Sequence, residues 1–174
     1  MPSLTWITPT FAVTDALDGA GLAALAKLGI RSVISNRPDG EEAGQILAKR
    51  EAALAWQSGL VFRHVPAAKH ELFTDAVVEG MADALSDLEG PVVAHCKSGL
   101  RSAIVWAAAS ARSQPVDCVF AALASAGFDL EDAIRDDLDA QADRKRWLGR
   151  AAALDCASSA SAAVTGLSRP RNAA

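Results

Sequence analysis

Two periods of apolar residues alternate along this chain. Ile7 to Val13 reads as a first extended segment. From about Asp18 to Leu28 the period lengthens, and Leu22, Leu25 and Leu28 fall on one helical face. Gly29 ends that helix, as glycine does at a helix C-terminus. Arg31 to Asn36 predicts a short buried strand, and Asn36-Arg37-Pro38-Asp39-Gly40 predicts a turn. A second helix is expected from about Ala43 to Gln57, closed by Gly59. Val61 to Val65 predicts another strand, stopped by Pro66. Thr74 stands where it can cap a third helix with the stripe Val77, Val78, Met81, Leu85 and Leu88. Gly90-Pro91 breaks the pattern, and Val92 to His95 predicts a fourth strand.

Strands alternating with helices predict an α/β fold: a central parallel sheet of about four to five strands, flanked by helices, in a single domain. A helix from about Ser102 to Ala111 is apolar nearly all round, which places it in the interior. A helical region follows from about Val116 to Trp147, interrupted at Gly127. We expect the catalytic domain to occupy residues 1–150. Residues 151–174, rich in Ala and Ser and poor in large apolar side chains, read as a disordered tail or linker. No internal repeat is evident.

Composition narrows the functional classes. The 174 residues suffice for one domain with a proper core. A net charge of −4 with both signs scattered argues against a nucleic-acid or membrane-surface binder, which would carry a basic patch. No apolar run approaches the roughly 20 residues that span a bilayer. The segment Met1-Pro2-Ser3-Leu4-Thr5-Trp6 lacks the basic and apolar regions of a secretory signal, so a cytoplasmic protein is expected. Three cysteines at wide spacing do not suggest a disulfide framework. Cys118 reads as a small buried hydrophobe, and Cys156, in the Ala/Ser stretch, as a residue without a specific role. His64, His70 and His95 match no ligand spacing, so neither a metal nor another cofactor is expected.

Cys96 has unusual surroundings. The string His95-Cys96-Lys97-Ser98-Gly99-Leu100-Arg101-Ser102 lies between a strand and a helix, at the carboxyl end of a parallel strand, where such sheets bind ligands. The next helix aims its free N–H groups and dipole at the same place, which favours a thiolate, the nucleophilic form of cysteine. Gly99 lets the loop curl so that several N–H groups converge on one anion. Arg101 adds a planar fork suited to phosphate, sulfate or thiosulfate oxygens. Ser102 is placed to donate to the Cys96 sulfur, His95 to order the loop and Lys97 to add positive field at its mouth. A Cys and an Arg alone would be a weak signal. The whole string in strand–loop–helix context is far more specific.

This loop resembles the active loop of cysteine-based phosphatases and rhodaneses. From about Thr8 to Leu138 the chain resembles one bacterial family, the phosphatase-like domain of beta-lactamase hydrolase-like proteins. The likeness rests on the N-terminal extended piece, on Asn36-Arg37-Pro38-Asp39-Gly40-Glu41-Glu42, and on Gly90-Pro91-Val92-Val93-Ala94-His95-Cys96. It implies a dual-specificity-phosphatase-like fold with the cysteine loop at the rim of the sheet.

Two departures favour sulfur over phosphorus. Four residues separate Cys96 from Arg101, the rhodanese spacing, where tyrosine-type phosphatases have five. The tighter ring suits a single sulfur atom. A phosphatase also needs an acid for its leaving group, commonly an aspartate on a neighbouring loop. The corresponding segment, Pro66-Ala67-Ala68-Lys69-His70-Glu71, contains none. His70 and Glu71 are candidates there, Asp39 on the other turn could also reach the rim, and Arg37 on that turn could face the pocket and bind substrate. Asp39 is equally well explained as a turn residue, Asp75 by the helix dipole, and Arg37 as a clamp on Asp39 or Glu41. The leading expectation is a sulfurtransferase forming a Cys96 persulfide. The alternative is a phosphatase acting through phospho-Cys96, and the third is a non-catalytic module that binds an anion or persulfide. The expected ligand is a small anionic, phosphorylated or persulfide substrate. The family resemblance adds a sulfide-oxidation partner domain or protein as a possible associate.

Overall fold

The computed structural model describes residues 1–144, so the expected tail from residue 151, and Cys156 within it, lie outside the described residues. The elements are β1 (Thr5–Thr8), β2 (Phe11–Thr14), α1 (Gly19–Lys27), β3 (Ser32–Ser35), α2 (Ala48–Gln57), β4 (Val61–His64), α3 (Asp75–Asp87), β5 (Val92–His95), α4 (Leu100–Ala111), α5 (Val116–Ser125) and α6 (Glu131–Ala142). They form a five-stranded sheet in the order β1-β2-β5-β3-β4.

The three inner strands β2, β3 and β5 are buried along their whole length, and the period of two shows in what each residue touches. Phe11, Val13, Ile34, Val92 and Ala94 face one apolar core, which also takes in α3, α4, α5 and α6. Ala12, Val33 and Val93 face the other, closed by Leu22 and Leu25 of α1 and Ala55 of α2. The sheet is thus covered on both faces, which is why its strands read as continuous apolar runs. α4 packs against α3, α5 and α6. Its run of buried alanines (Ala103, Ala107, Ala108, Ala109 and Ala111) brings these helices close, and Trp106 stacks on Phe11 with ring centroids 5.7 Å apart.

The structure departs from the sequence expectation at four places. The first extended segment is a hairpin, with β1 antiparallel to β2 around a turn at Pro9-Thr10, so the sheet is parallel only from β2 onward. Two strands of four residues separated by a proline turn look like one strand to a periodicity argument. α2 begins at Ala48 rather than near Ala43, because Asp39 Oδ1 accepts the Ala48 N–H at 2.7 Å and caps the helix from outside it. Thr74 is the residue before α3 but does not cap it with its side chain; its hydroxyl donates to the Glu71 carbonyl instead. Cys118 is half-buried rather than a core residue.

Candidate active site

β5 is the middle strand, and its last residue, His95, stands in register with Thr14 of β2 and Ser35 of β3. Cys96 follows at once, at the carboxyl edge of the sheet between two strand ends. The thiol is free and buried, with 1% exposure. Its sulfur accepts the Gly99 N–H at 3.1 Å. Gly99 is the N-cap residue of α4, so the sulfur sits at a helix N-terminus, where negative charge is favoured.

Only glycine serves at position 99. Its φ is +83°, and a Cβ there would stand 3.3 Å from the Thr14 carbonyl oxygen. The preceding residue, Ser98, makes an isolated bridge to Asp15, which ties the exposed part of the loop to the end of β2. Leu100, the first residue of α4, is solvent-exposed.

Arg101 is 8% exposed, and a buried guanidinium without a counter-charge would cost several kcal/mol. Two groups compensate it. Nη1 donates to the Asn36 carbonyl at 3.3 Å, and Nη2 donates to Glu41 Oε1 at 2.5 Å. Asn36 is itself a junction. Its N–H donates to the His95 carbonyl, its carbonyl accepts the Ala67 N–H, and its side-chain amide donates to the Val65 carbonyl. The strand ends of β3, β4 and β5 are thereby held around the arginine.

The β3–α2 loop supplies an acidic rim. Glu41 reaches Arg101 and lies 3.5 Å from Arg37 Nε; Glu42 accepts from Arg37 Nη2 at 2.8 Å and from the exposed Lys97 ammonium. The hydrogen bond from Lys97, reinforced by the charges of Lys97 and Arg37, holds the Glu42 carboxyl below its ordinary range. Arg37 therefore acts as a clamp on the turn, through Glu41 and Glu42 rather than Asp39. Asp39 spends its carboxylate on α2.

The remaining sequence candidates fall elsewhere or act differently. His70 and Glu71 are exposed and face each other at 3.7 Å. Glu71 lines a groove with His64, Val65 and Thr74 that takes in no residue of the cysteine loop. Ser102 does not donate to Cys96; its hydroxyl is buried without a hydrogen-bond partner among the described residues. His95 is fully buried, with Nε2 2.6 Å from Glu51 Oε1 of α2. The contact is close but not aligned as a hydrogen bond. We take it as a buried polar pair that packs α2 against the start of the loop. Glu51 escaped the sequence reading, although its place on the buried face of α2, between Ala48 and Ala55, was a signal. Glu41 and Glu42 were visible only as part of the turn string. Among the described residues no group of three His, Cys, Asp or Glu could hold a metal ion.

A thiol at the end of a central parallel strand, a glycine-capped helix behind it and an arginine closing the loop define the cysteine-phosphatase-like class. Residues 3–113 match the phosphatase-like domain of beta-lactamase hydrolase-like proteins, and the chain belongs to that family. It is 39% identical over 82 residues to a beta-lactamase hydrolase-like protein of Xylella fastidiosa (strain Temecula1), a match covering 47% of this chain. That match spans only 19% of the relative's length. A candidate phosphatase from Neisseria meningitidis superposes with a TM-score of 0.66 and 29% identity, covering 79% of this chain and 96% of that one. Tk-PTP in its active form shares the fold, with a TM-score of 0.58 at 18% identity over 82% of this chain and 98% of that one. No helix among the described residues is long and apolar enough to cross a membrane.

Proposed function

We propose that this domain is a cysteine-dependent phosphatase that hydrolyses phosphomonoesters through a phospho-Cys96 intermediate. The observation that carries the proposal is the Glu41 carboxylate seated on the guanidinium of Arg101, which closes the loop that carries the free Cys96 thiol. The Arg101 guanidinium already holds one carboxylate oxygen through Nη2, an oxyanion contact of the kind it would offer to a phosphoryl group. Cys96 is the nucleophile, the N–H groups of residues 97–101 and Arg101 bind the phosphoryl oxygens, and Gly99 shapes the cradle. His95, with Glu51, positions the strand end. The expected ligand is a small phosphorylated molecule or residue. The family membership and the likeness to the Neisseria structure support this reading.

The second reading is persulfide transfer, favoured by the four-residue gap between Cys96 and Arg101. Here Cys96 would take the outer sulfur of a donor and pass it to a thiol or cyanide. A sulfide-oxidation partner belongs to this reading alone. The other argument for sulfur, the absence of an acid near the site, loses its force once Glu41 and Glu42 stand on the rim. Aryl-phosphate hydrolysis and thiosulfate:cyanide transfer, measured side by side, separate the two. We expect phosphate release that vanishes in Cys96→Ser and falls about 10²–10³-fold in Arg101→Ala. Sulfur transfer without phosphate release would reverse the order. A protein with neither activity would be a binding module.

A further inference from the structure

We propose that Arg37 is a positioning residue of the active site, which acts through Glu41 to set the Arg101 guanidinium before its anion arrives. The inference rests on the phosphatase reading above for the identity of that anion. The β3–α2 turn carries two neighbouring carboxylates, and each divides its two oxygens in the same way. Glu41 gives Oε1 to Arg101 Nη2 at 2.5 Å and turns Oε2 to Arg37 Nε at 3.5 Å. Glu42 gives Oε1 to the Lys97 ammonium and Oε2 to Arg37 Nη2 at 2.8 Å. Arg37 thus stands in the middle of a series of alternating charges, Lys97–Glu42–Arg37–Glu41–Arg101, which begins and ends on the cysteine loop. Its own place is fixed. The residue is buried, and its carbonyl accepts the His64 Nε2–H at 2.8 Å.

Exposed ion pairs of this kind would fix little. Here the central and the last cation, Arg37 and Arg101, are both buried, where charges are screened less. A planar guanidinium also offers its donors in fixed directions, so it can hold two carboxylates at a set angle, which a lysine ammonium cannot. Arg101 is oriented by this series without being used up. Of the five N–H groups a guanidinium carries, it gives one to Glu41 and one to the Asn36 carbonyl, and the others stay open to an anion. A long side chain ordered in advance need not be ordered at the cost of binding. Three cations against two carboxylates also leave one positive charge in the series. Without Arg37, Glu41 Oε2 loses its cation and faces the Glu42 carboxylate unshielded. Glu41 then turns away, and Arg101 loses the contact that aims it.

The test uses the full chain and two variants, Arg37→Gln and Arg37→Lys, at one pH and at a temperature where circular dichroism shows all three folded. Arg37→Gln removes both the charge and the fork; Arg37→Lys keeps the charge, so its loss measures placement alone. Cys96 is alkylated with neutral iodoacetamide and with anionic iodoacetate, and the modification is mapped by peptide mass. Any change in thiolate content affects both reagents, so the ratio of their rates reports the Arg101 cradle. That ratio should fall about tenfold in Arg37→Gln and at least about threefold in Arg37→Lys. The concentration of inorganic phosphate that protects Cys96 from iodoacetamide should rise in the same order. For an aryl phosphate, kcat/KM should fall about 10²-fold in Arg37→Gln. Unchanged ratios and unchanged phosphate protection in both variants would make Arg37 a brace of the turn alone and overturn the proposal. Full retention in Arg37→Lys would also overturn it, since charge without placement would then suffice. If Arg37→Gln does not fold, Arg37→Lys decides the matter by itself. A parent that hydrolyses no aryl phosphate, yet shows phosphate protection dependent on Arg37, would defeat the phosphatase reading and uphold the positioning role. A parent that phosphate does not protect would defeat both.

Discussion

His95 Nε2 lies 2.6 Å from Glu51 Oε1, and both side chains are at most 5% exposed. The pair joins the last residue of the central strand to the inner face of α2, one residue before the cysteine. Removing Glu51 takes from the buried imidazole the carboxylate that faces it. Glu51→Ala should therefore destabilise the domain by about 1–3 kcal/mol. Glu51→Gln, which keeps the shape and an oxygen, should lose less. Urea unfolding midpoints of the two variants check the order, and equal loss in both would show that shape alone matters.

Gly99→Ala should damage activity more than stability. The left-handed φ costs a non-glycine residue about 1–2 kcal/mol. The new Cβ would meet the Thr14 carbonyl at 3.3 Å, a backbone atom in the sheet that cannot yield easily. The loop must shift, and the Gly99 N–H leaves the Cys96 sulfur. Alkylation of Cys96 by iodoacetamide, compared in the two proteins at one pH, reports that change directly. An unchanged alkylation rate with unchanged turnover would refute it.

The fold was largely legible because the inner strands are buried on both faces and the helices end at glycines such as Gly29 and Gly59, both at positive φ. What stayed hidden was hydrogen bonding across long sequence distances. The proline turn inside the first hairpin, the cap that Asp39 gives to Ala48, and the choice of Glu41 by Arg101 leave no periodic trace. The nucleophile loop was readable because its residues are contiguous. The rim was not, because its carboxylates come from residues 41 and 42 and meet the loop only in three dimensions. Ser102 illustrates the reverse: adjacency in the string suggested a bond to Cys96 that the helix geometry does not make.

Arg112 should matter to stability and not to chemistry. Its guanidinium, 3% exposed, donates from Nε to Gln141 Oε1 at 2.8 Å and from Nη2 to Asp75 Oδ1 at 2.5 Å. It fastens the end of α4 to α6 and to the start of α3. Arg112→Ala orphans the buried Gln141 oxygen, for a loss of about 1–3 kcal/mol. KM for an aryl phosphate, measured well below the melting temperature, should be unchanged. A changed KM would place Arg112 within the site's influence.

Acid should loosen the same junction. Hydrogen bonds from Arg144 and Arg112 hold the Asp75 carboxyl below its ordinary value of 3.8. A carboxylate with a depressed folded-state pKa stabilises above its unfolded value, and that contribution is lost as pH falls through the folded one. Asp75→Asn should therefore be less stable than the parent at neutral pH. The difference should close as pH drops below 3.8. Thermal melts of the pair across that range test the sign, and a gap independent of pH would contradict it.

The central claim is that Cys96 carries a phosphoryl group. Intact-protein mass, taken by rapid quench into acid during turnover of an aryl phosphate, tests it most directly. The account predicts a transient gain of one phosphoryl group, mapped to Cys96 and absent from Cys96→Ser. A protein that never gains phosphorus, yet gains a single sulfur on Cys96 from thiosulfate, would contradict it.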